Sequence, residues 1–356
     1  MTTEDRQNQP RPPLSIGLVP FGLKINDYIE RKKDLLGQVG QVFEVPRPRL
    51  LLGAVLKRMS TGQSPRLFDV IILNWRENLL CNKNCKLSYK GILEYLCTLL
   101  VFKLACQKLI YVRHNRHPHN LRTIDRDRAR RIIDIAQNLA SAVVVHAPPH
   151  ALQLNPKLRY IPHPLYPLIF DEQKNPEPTR NDEFIIFGRI ERYKRILELA
   201  KSWDLQSRLS ILGPCTDEEY LNELRIACQD RDIDLEPKFQ DENIIADRIR
   251  RCKGVIIGND TSSMLVSGSF FFSLSCGTPV YAVNSDFFKW LEETPIAPYL
   301  IVRGSFSELI DAIRTNDTKQ YIQSEISDVS KMLFGDTKII TAWKELLDDL
   351  NGNYPL

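Results

Sequence analysis

The stretch "SGSFFFSLSCGTPV", Ser267 to Val280, decides the fold. Three consecutive phenylalanines, Phe270 to Phe272, run from a Ser-Gly-Ser into a Cys-Gly-Thr-Pro, and an apolar run this short fits either a buried strand or a buried helix. Its neighbours settle the matter. "KGVIIGN" (Lys253–Asn259) before it and "TPVYAVN" (Thr278–Asn284) after it both read as buried strands. Two consecutive parallel strands need a right-handed crossover between them. The spacing therefore predicts a helix over "SSMLVSGSFFFSLSC", ended at Gly277, with the phenylalanines packed on a sheet. Ser267, Gly268 and Ser269 then fall in its first turns, where free backbone N–H groups and the helix dipole favour an anion.

Working outward, the same alternation fills the chain. "EFIIFGR", "RLSILGP" and "IDLEPKF" read as further strands of this sheet, with helical patterns such as "DEEYLNELRIACQD" and "DENIIADRIRRC" between them. The first half offers "LSIGLVP", "VGQVFEV", "FDVIILN", "KLIYVRH", "SAVVVHA" and "LRYIPHP", separated by helices including "NDYIERKKDLLGQ" and "IDRDRARRIIDIAQNLA". Near-continuous apolar strands between helices mark parallel sheets covered on both faces. The polar, proline-bearing "DEQKNPEPTRND" (171–182) reads as a linker. The expectation is an α/β protein of two Rossmann-like, doubly wound domains, residues 1–170 and 171–356, with one active cleft between them.

Composition is that of a globular chain of 356 residues, 43% hydrophobic and 26% charged. The longest apolar stretch, "GILEYLCTLLVFKLACQKLIYV", is interrupted by Glu94, Lys103 and Lys108 and reads as a helix leading into a strand, not a membrane span. The N-terminal "MTTEDRQNQPRPP" has no apolar core, so a cytoplasmic location is expected. Eight cysteines then read as reduced thiols, and "CNKNC" (Cys81, Cys85) lacks a second ligand pair at zinc spacing. Residues 1–170 carry 26 Lys and Arg against 12 Asp and Glu, whereas the rest carry 22 against 32. A basic half beside an acidic one points to an anionic partner of the first: nucleic acid, an anionic membrane surface or a phosphorylated substrate.

Two constellations carry chemistry. "FGRIERYKR" puts Arg189 and Lys194 where the first strand of the second half turns into its helix, as a diphosphate clamp would need. "YVRHNRHPHN" clusters His114, His117 and His119 with Arg113 and Arg116 just after a strand. Histidine there can take a hydroxyl proton or protonate a leaving phosphate near neutral pH. "LNWRENLL" adds Trp75 as an aromatic platform and Glu77 as a second candidate base. "VPFGLKINDYIE" adds Gly22 and Asp27, which suit a sugar contact, although Asp27 also reads as a helix N-terminal charge. "HPLY", with His163, shapes the crossing into the second half, and "DRD" (125–127) reads as a solvated face.

Taken together, G-R-x-x-x-x-K, the Ser-Gly-Ser helix and "CGTPV" resemble the GT-B glycosyltransferases, in particular the family 4 type of bacterial exopolysaccharide and glycolipid assembly. The resemblance covers nearly the whole chain and is strongest over residues 184–283. It implies that Arg189 and Lys194, with Ser267, Gly268 and Ser269, hold the diphosphate of a nucleoside diphosphate sugar. It also implies no bound metal and no cofactor. The family places two glutamates eight positions apart before "CGTPV", and here those positions read Met264 and Phe272, neither of which accepts a hydroxyl hydrogen bond. Inversion with a separate base in the first domain therefore stands beside the family's retention. The H-N-x-x-P-H of some mannosyltransferases matches His114, Asn115, Pro118 and His119, which favours His119 as that base and GDP-mannose as donor. The partners implied are the nucleotide sugar, a lipid-linked or glycan acceptor and the anionic inner face of the cell membrane, not nucleic acid. The surface segments expected to meet that membrane are "YIERKKDLLG" and "VLKRMSTG". A GT-B epimerase of nucleotide sugars and a non-catalytic nucleotide or glycan binder are the rival readings.

Overall fold

The computed structural model describes residues 13–21, 27–118, 121–147, 156–168, 180–258, 264–315 and 321–352. In the first half, β1 (Ser15–Val19), α1 (Asp27–Gly37), β2 (Gln41–Glu44), α2 (Pro48–Ser60) and β3 (Phe68–Asn74) are followed by α3 (Tyr89–Ala105), β4 (Cys106–Arg113), α4 (Thr123–Gln137), β5 (Ala142–Val145) and β6 (Leu158–Tyr160). All its strand pairs are parallel, in the order β2-β1-β3-β4-β5-β6. The second half runs β7 (Asn181–Phe187), α5 (Ile196–Ser202), β8 (Arg208–Leu212), α6 (Glu218–Cys228), β9 (Ile233–Glu236), α7 (Glu242–Arg251) and β10 (Cys252–Ile257). It continues through α8 (Gly268–Ser275), β11 (Val280–Val283), α9 (Asp286–Glu292), β12 (Leu300–Arg303), α10 (Phe306–Thr315), α11 (Gln323–Phe334) and α12 (Asp336–Asn351). Its sheet, again all parallel, has the order β12-β11-β10-β7-β8-β9.

The sequence pattern explains why. The middle of each central strand is buried on both faces, as in Val70–Asn74 and Phe184–Ile186, so no polar alternation is tolerated there. The helices cover those faces with apolar stripes and are started by local caps. Asp217 and Asp241 take backbone N–H groups at the N-termini of α6 and α7, and Ser285 does so for α9. In each sheet the strand order reverses once, at β1/β3 and at β7/β10. Ligand crevices of doubly wound sheets open at those points, beyond the carboxyl ends of the strands.

The crossover between β10 and β11 is helical, with Val255 paired to Val280 across the sheet. It starts later than the spacing predicts. Ser267 is the N-cap, its hydroxyl accepting the N–H of Phe270, and Met264 to Val266 lie outside the helix. A cap hydroxyl that takes the third N–H fixes the helix start there, so Ser267 precedes the first turn instead of lying within it. Phe270 and Phe271 are fully buried, and Phe270 makes edge contacts with Phe287 and Phe288 of α9.

The last helix crosses back. Ile339, Trp343, Leu346 and Leu347 of α12 pack in the same core as Ile16, Ile29 and Val144 of the first sheet. Ion pairs Arg31–Asp336 and Arg159–Asp349 fasten its two ends. A division of the chain at residue 170 leaves α12 in the second half by sequence and in the first core by packing. Most of the 171–182 segment read as a linker lies outside the described residues. No helix among the described residues is long and apolar enough to cross a membrane.

Candidate active site

The carboxyl ends of the two sheets face each other across a cleft of about 270 Å³. Tyr28, Trp75, His114 and Asn115 line it from the first sheet, while His163 and Tyr166, after β6, line it packed on Phe271 and Phe272 of α8. Tyr193, Lys194, Met264, Val266 and Ser267–Ser269 line the second-sheet side. Asn115 and Met264 form a backbone bridge across it, and an Arg116–Asp286 ion pair ties the rim.

On the second-sheet side, β7 ends at Phe187 and Gly188 turns with φ of +82°, a backbone conformation that favours glycine. The turn folds Lys194 back so that its Nζ donates to the carbonyl of Phe187 at 2.8 Å. Lys194 is 7% exposed, and burial with Arg189 nearby lowers its pKa to about 8, against the opposing pull of Glu191. Opposite stands the start of α8. Because Ser267 takes the N–H of Phe270, the N–H groups of Gly268 and Ser269 begin the helix at the cleft. A side chain at Gly268 would lie 3.3 Å from the Tyr166 hydroxyl, so glycine keeps this approach open. A buried ammonium facing a helix N-terminus suits a di-anion.

On the first-sheet side sits a cluster of aromatic and polar rings. His114, just past β4, is stacked on Trp75 at 4.5 Å, with its Nε2 within hydrogen-bond distance of Asn74 Oδ1 at 3.3 Å. His163 stacks on Phe271 at 4.3 Å, and its Nδ1–H donates to the carbonyl of Pro164. His146 donates from Nδ1 to Ile161 O and accepts the Tyr28 hydroxyl on Nε2 at 2.6 Å. Burial, then the neighbouring histidines and Lys32, hold His114 and His146 well below the usual imidazole range, and burial pushes His163 down to about 3. All three rings are neutral at pH 7.

The residues read from sequence separate accordingly. Lys194, Ser267, Gly268, Ser269, His114 and Trp75 meet in the cleft. Arg189 is exposed and outside its lining. His117 is buried outside the lining, with Nδ1 bonded to Pro118 O. Glu77, read as a second base, is turned away: it is 1% exposed, and its carboxylate accepts from Tyr111 and Asn115. Burial raises its pKa against those hydrogen bonds, and it supports Asn115 from behind instead of meeting solvent. Asp27 opens α1 half-buried, outside the lining, its pKa raised by burial and by Glu30. Gly22 and His119 lie outside the described residues. Met264 and Phe272, standing where the family places its glutamates, are respectively in the cleft wall and packed between Tyr166 and Phe187. Tyr28, His163, Tyr166 and Tyr193 escaped the sequence reading as cleft residues, and Asn115 entered it only through the H-N-x-x-P-H match.

A second cavity, about 890 Å³, lies between α1, α11, α12 and the other end of α8, at Leu274 and Ser275. It is larger, and its cations Arg31, Lys331 and Lys338 stand beside the carboxylates of Asp336 and Glu345. It meets the negative end of the α8 dipole, and the first turn of α12 there already holds the Asp336 carboxylate paired with Arg31.

No family model and no curated protein matches the sequence. Solved structures do. Anabaena HepE in complex with UDP and glucose is similar over 94% of this chain and 100% of its own, at 17% identity and a TM-score of 0.61. Sucrose-phosphate synthase from Thermosynechococcus elongatus is similar over 96% and 100%, at 14% identity and a TM-score of 0.63. AviGT4, a glycosyltransferase of avilamycin A biosynthesis, covers 96% and 99% at 15% identity and a TM-score of 0.56. The chain has the GT-B fold. At these identities the likeness establishes architecture, and the GT-B cleft is the one into which Lys194, the start of α8 and His114 project.

Proposed function

We propose that this GT-B chain is a glycosyltransferase that moves a hexose from a nucleoside diphosphate sugar to a hydroxyl acceptor. One observation carries the reading: the buried Lys194 ammonium and the α8 N-terminus stand across one small cleft from the neutral imidazole of His114. The diphosphate lies between Lys194 and the N–H groups of Gly268 and Ser269. His114 takes the proton from the acceptor hydroxyl as the acceptor oxygen bonds to the anomeric carbon. The bond from that carbon to the diphosphate oxygen breaks, and its electron pair leaves with the nucleoside diphosphate, stabilised by fixed charge and helix dipole. The di-anion also raises the basicity of His114 once bound. This single displacement inverts the anomeric centre, consistent with apolar Met264 and Phe272 at the positions of the family glutamates. Within the donor class, the H-N-x-x-P-H resemblance favours GDP-mannose, whereas HepE is solved with UDP-glucose. Thermal unfolding with UDP, GDP and their hexose derivatives separates these, since a ligand at about 100 times Kd stabilises by roughly 2.7 kcal/mol. No shift with any of them contradicts the reading, and turnover of the sugar nucleotide without acceptor marks an epimerase instead.

The acceptor is lipid-linked in this account, as part of exopolysaccharide assembly, and the supporting surface is on α2 and α3. These helices pack on each other and expose Leu50, Leu56 and Met59 of α2 beside Leu93, Leu100 and Leu104 of α3. Leu50 is 69% and Leu93 65% exposed. Arg47, Arg49, Lys57 and Lys90 flank them. Leucines ringed by cations suit an anionic lipid surface, where each basic side chain contributes about 1 kcal/mol. The α1 segment read for this role is corrected: Tyr28, Ile29, Lys32, Leu35 and Leu36 are buried, because helical spacing turns them all onto the first sheet. In liposome flotation the protein floats with anionic vesicles at low salt and is released by high salt, and Leu50→Glu with Leu93→Glu abolishes flotation. Equal recovery with neutral and anionic vesicles removes the membrane assignment.

A further inference from the structure

Beneath the cleft floor a chain of buried polar groups has a direction, set by its two ends. At one end, Asn74, the last residue of β3 and 1% exposed, donates from Nδ2 to the carbonyl of Val19 at the end of β1, 3.0 Å away. The amide therefore spans the point where the strand order of the first sheet reverses. Turning it over would set Oδ1 against the Val19 carbonyl oxygen, so Oδ1 is held facing the other way. There it accepts from Lys32 Nζ at 2.9 Å and from His114 Nε2 at 3.3 Å. At the other end, the Nδ1–H of His146 is committed to Ile161 O, so its Nε2 accepts the Tyr28 hydroxyl. The Tyr28 oxygen is thereby left to accept from Lys32 Nζ at 3.0 Å. Lys32 is 3% exposed and lies against the rings of Tyr28 and Trp343, so its hydrogens have these two acceptors to serve. A buried lysine costs several kcal/mol unless its donors are satisfied, and this one sits directly under the histidine that faces the cleft.

We propose that Asn74, locked between the Val19 carbonyl and Lys32, is a positioning residue that holds His114 as its Nε2–H tautomer and leaves Nδ1 as the atom that accepts the proton. The inference rests on the transferase reading only for the use made of that lone pair; the tautomer itself does not depend on it. An acceptor-only oxygen can bond only a protonated ring nitrogen, and a neutral imidazole carries one proton. Trp75 stacked on the ring limits its tilt, and a half-turn about Cβ–Cγ would put Cε1 in place of Nε2 against Asn74 Oδ1 and lose that hydrogen bond, so the ring keeps its orientation. The groups that face His114 are Tyr28 and Lys32 of α1, His146 past β5, and His163 and Tyr166 of the segment after β6, with Tyr193 and Lys194 across the cleft. Burial above all, with His146, Lys32 and His163 beside it, opposes a charge on His114, so the ring stays neutral while Asn74 decides which nitrogen is free.

The test reads the tautomer directly, by two-bond 15N–1H correlation of the histidine rings in the unliganded full-length protein at pH 7. His114 is expected neutral with Nε2 protonated. Nδ1 protonation, or a charged ring, overturns the proposal whether or not the protein transfers sugar. Asn74→Leu removes the acceptor at similar volume and is expected to give a mixture of tautomers and a kcat lowered at least about tenfold with little change in donor KM. A folded Asn74→Leu protein that keeps the pure Nε2–H form overturns it. Asn74→Asp gives up the Nδ2–H bond to the Val19 carbonyl but keeps an acceptor toward Lys32 and His114 and adds negative charge beside the ring, so the folded variant keeps the tautomer and raises the pKa of His114. The acid limb of kcat then moves up by about one pH unit, whereas a purely structural role for Asn74 leaves the limb in place and overturns the assignment. Failure of the transferase reading shows separately, as absence of nucleotide binding with the tautomer intact.

Discussion

Replacing His114 with alanine lowers kcat by roughly 10² to 10⁴ while leaving the affinity for the nucleotide sugar close to that of the wild type. The size follows from the role, because a base that moves one proton in the transition state contributes that much, and the diphosphate is held elsewhere by Lys194 and α8. The pH dependence has a definite sign. Burial, His146, Lys32 and His163 depress the pKa of His114, so the ring is a free base throughout the neutral range. Turnover is therefore flat through neutrality and falls on the acid side, as the imidazolium forms. The bound di-anion moves that limb upward in kcat relative to kcat/KM. Steady-state kinetics across pH on wild type and His114→Ala measure both. A variant with near-normal kcat transfers the role to another group, and His119 is then the next to replace.

The second large effect is on donor binding. Lys194→Ala is expected to weaken nucleoside diphosphate affinity roughly 10- to 100-fold, the size of one charge-assisted contact of about 1.5 to 3 kcal/mol made in a desolvated site. Arg189→Ala has the smaller effect, because Arg189 is exposed and outside the cleft lining. Because burial lowers the pKa of Lys194 to about 8, the free protein loses its ammonium as pH rises past that value, and affinity for the di-anion declines with it. Titration calorimetry at pH 7 and pH 9 shows that decline in the wild type and not in Lys194→Ala. Equal affinities for both proteins at pH 7 remove Lys194 from the site.

Physical reasons separate what the sequence announces from what it conceals. The strands are legible because a sheet buried on both faces demands short apolar runs such as "FDVIILN" and "KGVIIGN", and their regular alternation with helical segments tells them from buried helix. The twelfth strand, "LIVR" (Leu300–Arg303), is missing from the sequence reading: it is four residues long at the sheet edge and follows a proline-bearing turn. The amphipathic stripe of α12 announces a buried face without naming the sheet that buries it, so its return to the first core is not readable. The start of α8 is obscured because Ser262 or Ser263 makes as plausible a cap on paper as Ser267, and only the backbone shows which hydroxyl takes an N–H. In the cleft, Lys194 and Ser267–Ser269 are legible because strand-to-helix turns carry local patterns. Tyr28, Lys32, Asn74, His146 and His163 are not. Lys32 is hidden in the charged run "ERKKD", the others are single polar residues in or beside apolar runs, and their meeting depends on segments distant in sequence converging at the carboxyl ends of the strands. Glu77 shows the opposite error, a carboxylate at a strand end whose side chain turns into the core.

The central claim is that the small cleft, and not the larger cavity behind it, receives the donor. A crystal structure of the protein with its preferred nucleoside diphosphate tests this most directly. The account predicts the diphosphate between Lys194 Nζ and the N–H groups of Gly268 and Ser269, with His114 on the facing wall. A diphosphate bound instead beside Arg31, Lys331 and Lys338, in the cavity at the far end of α8, contradicts it.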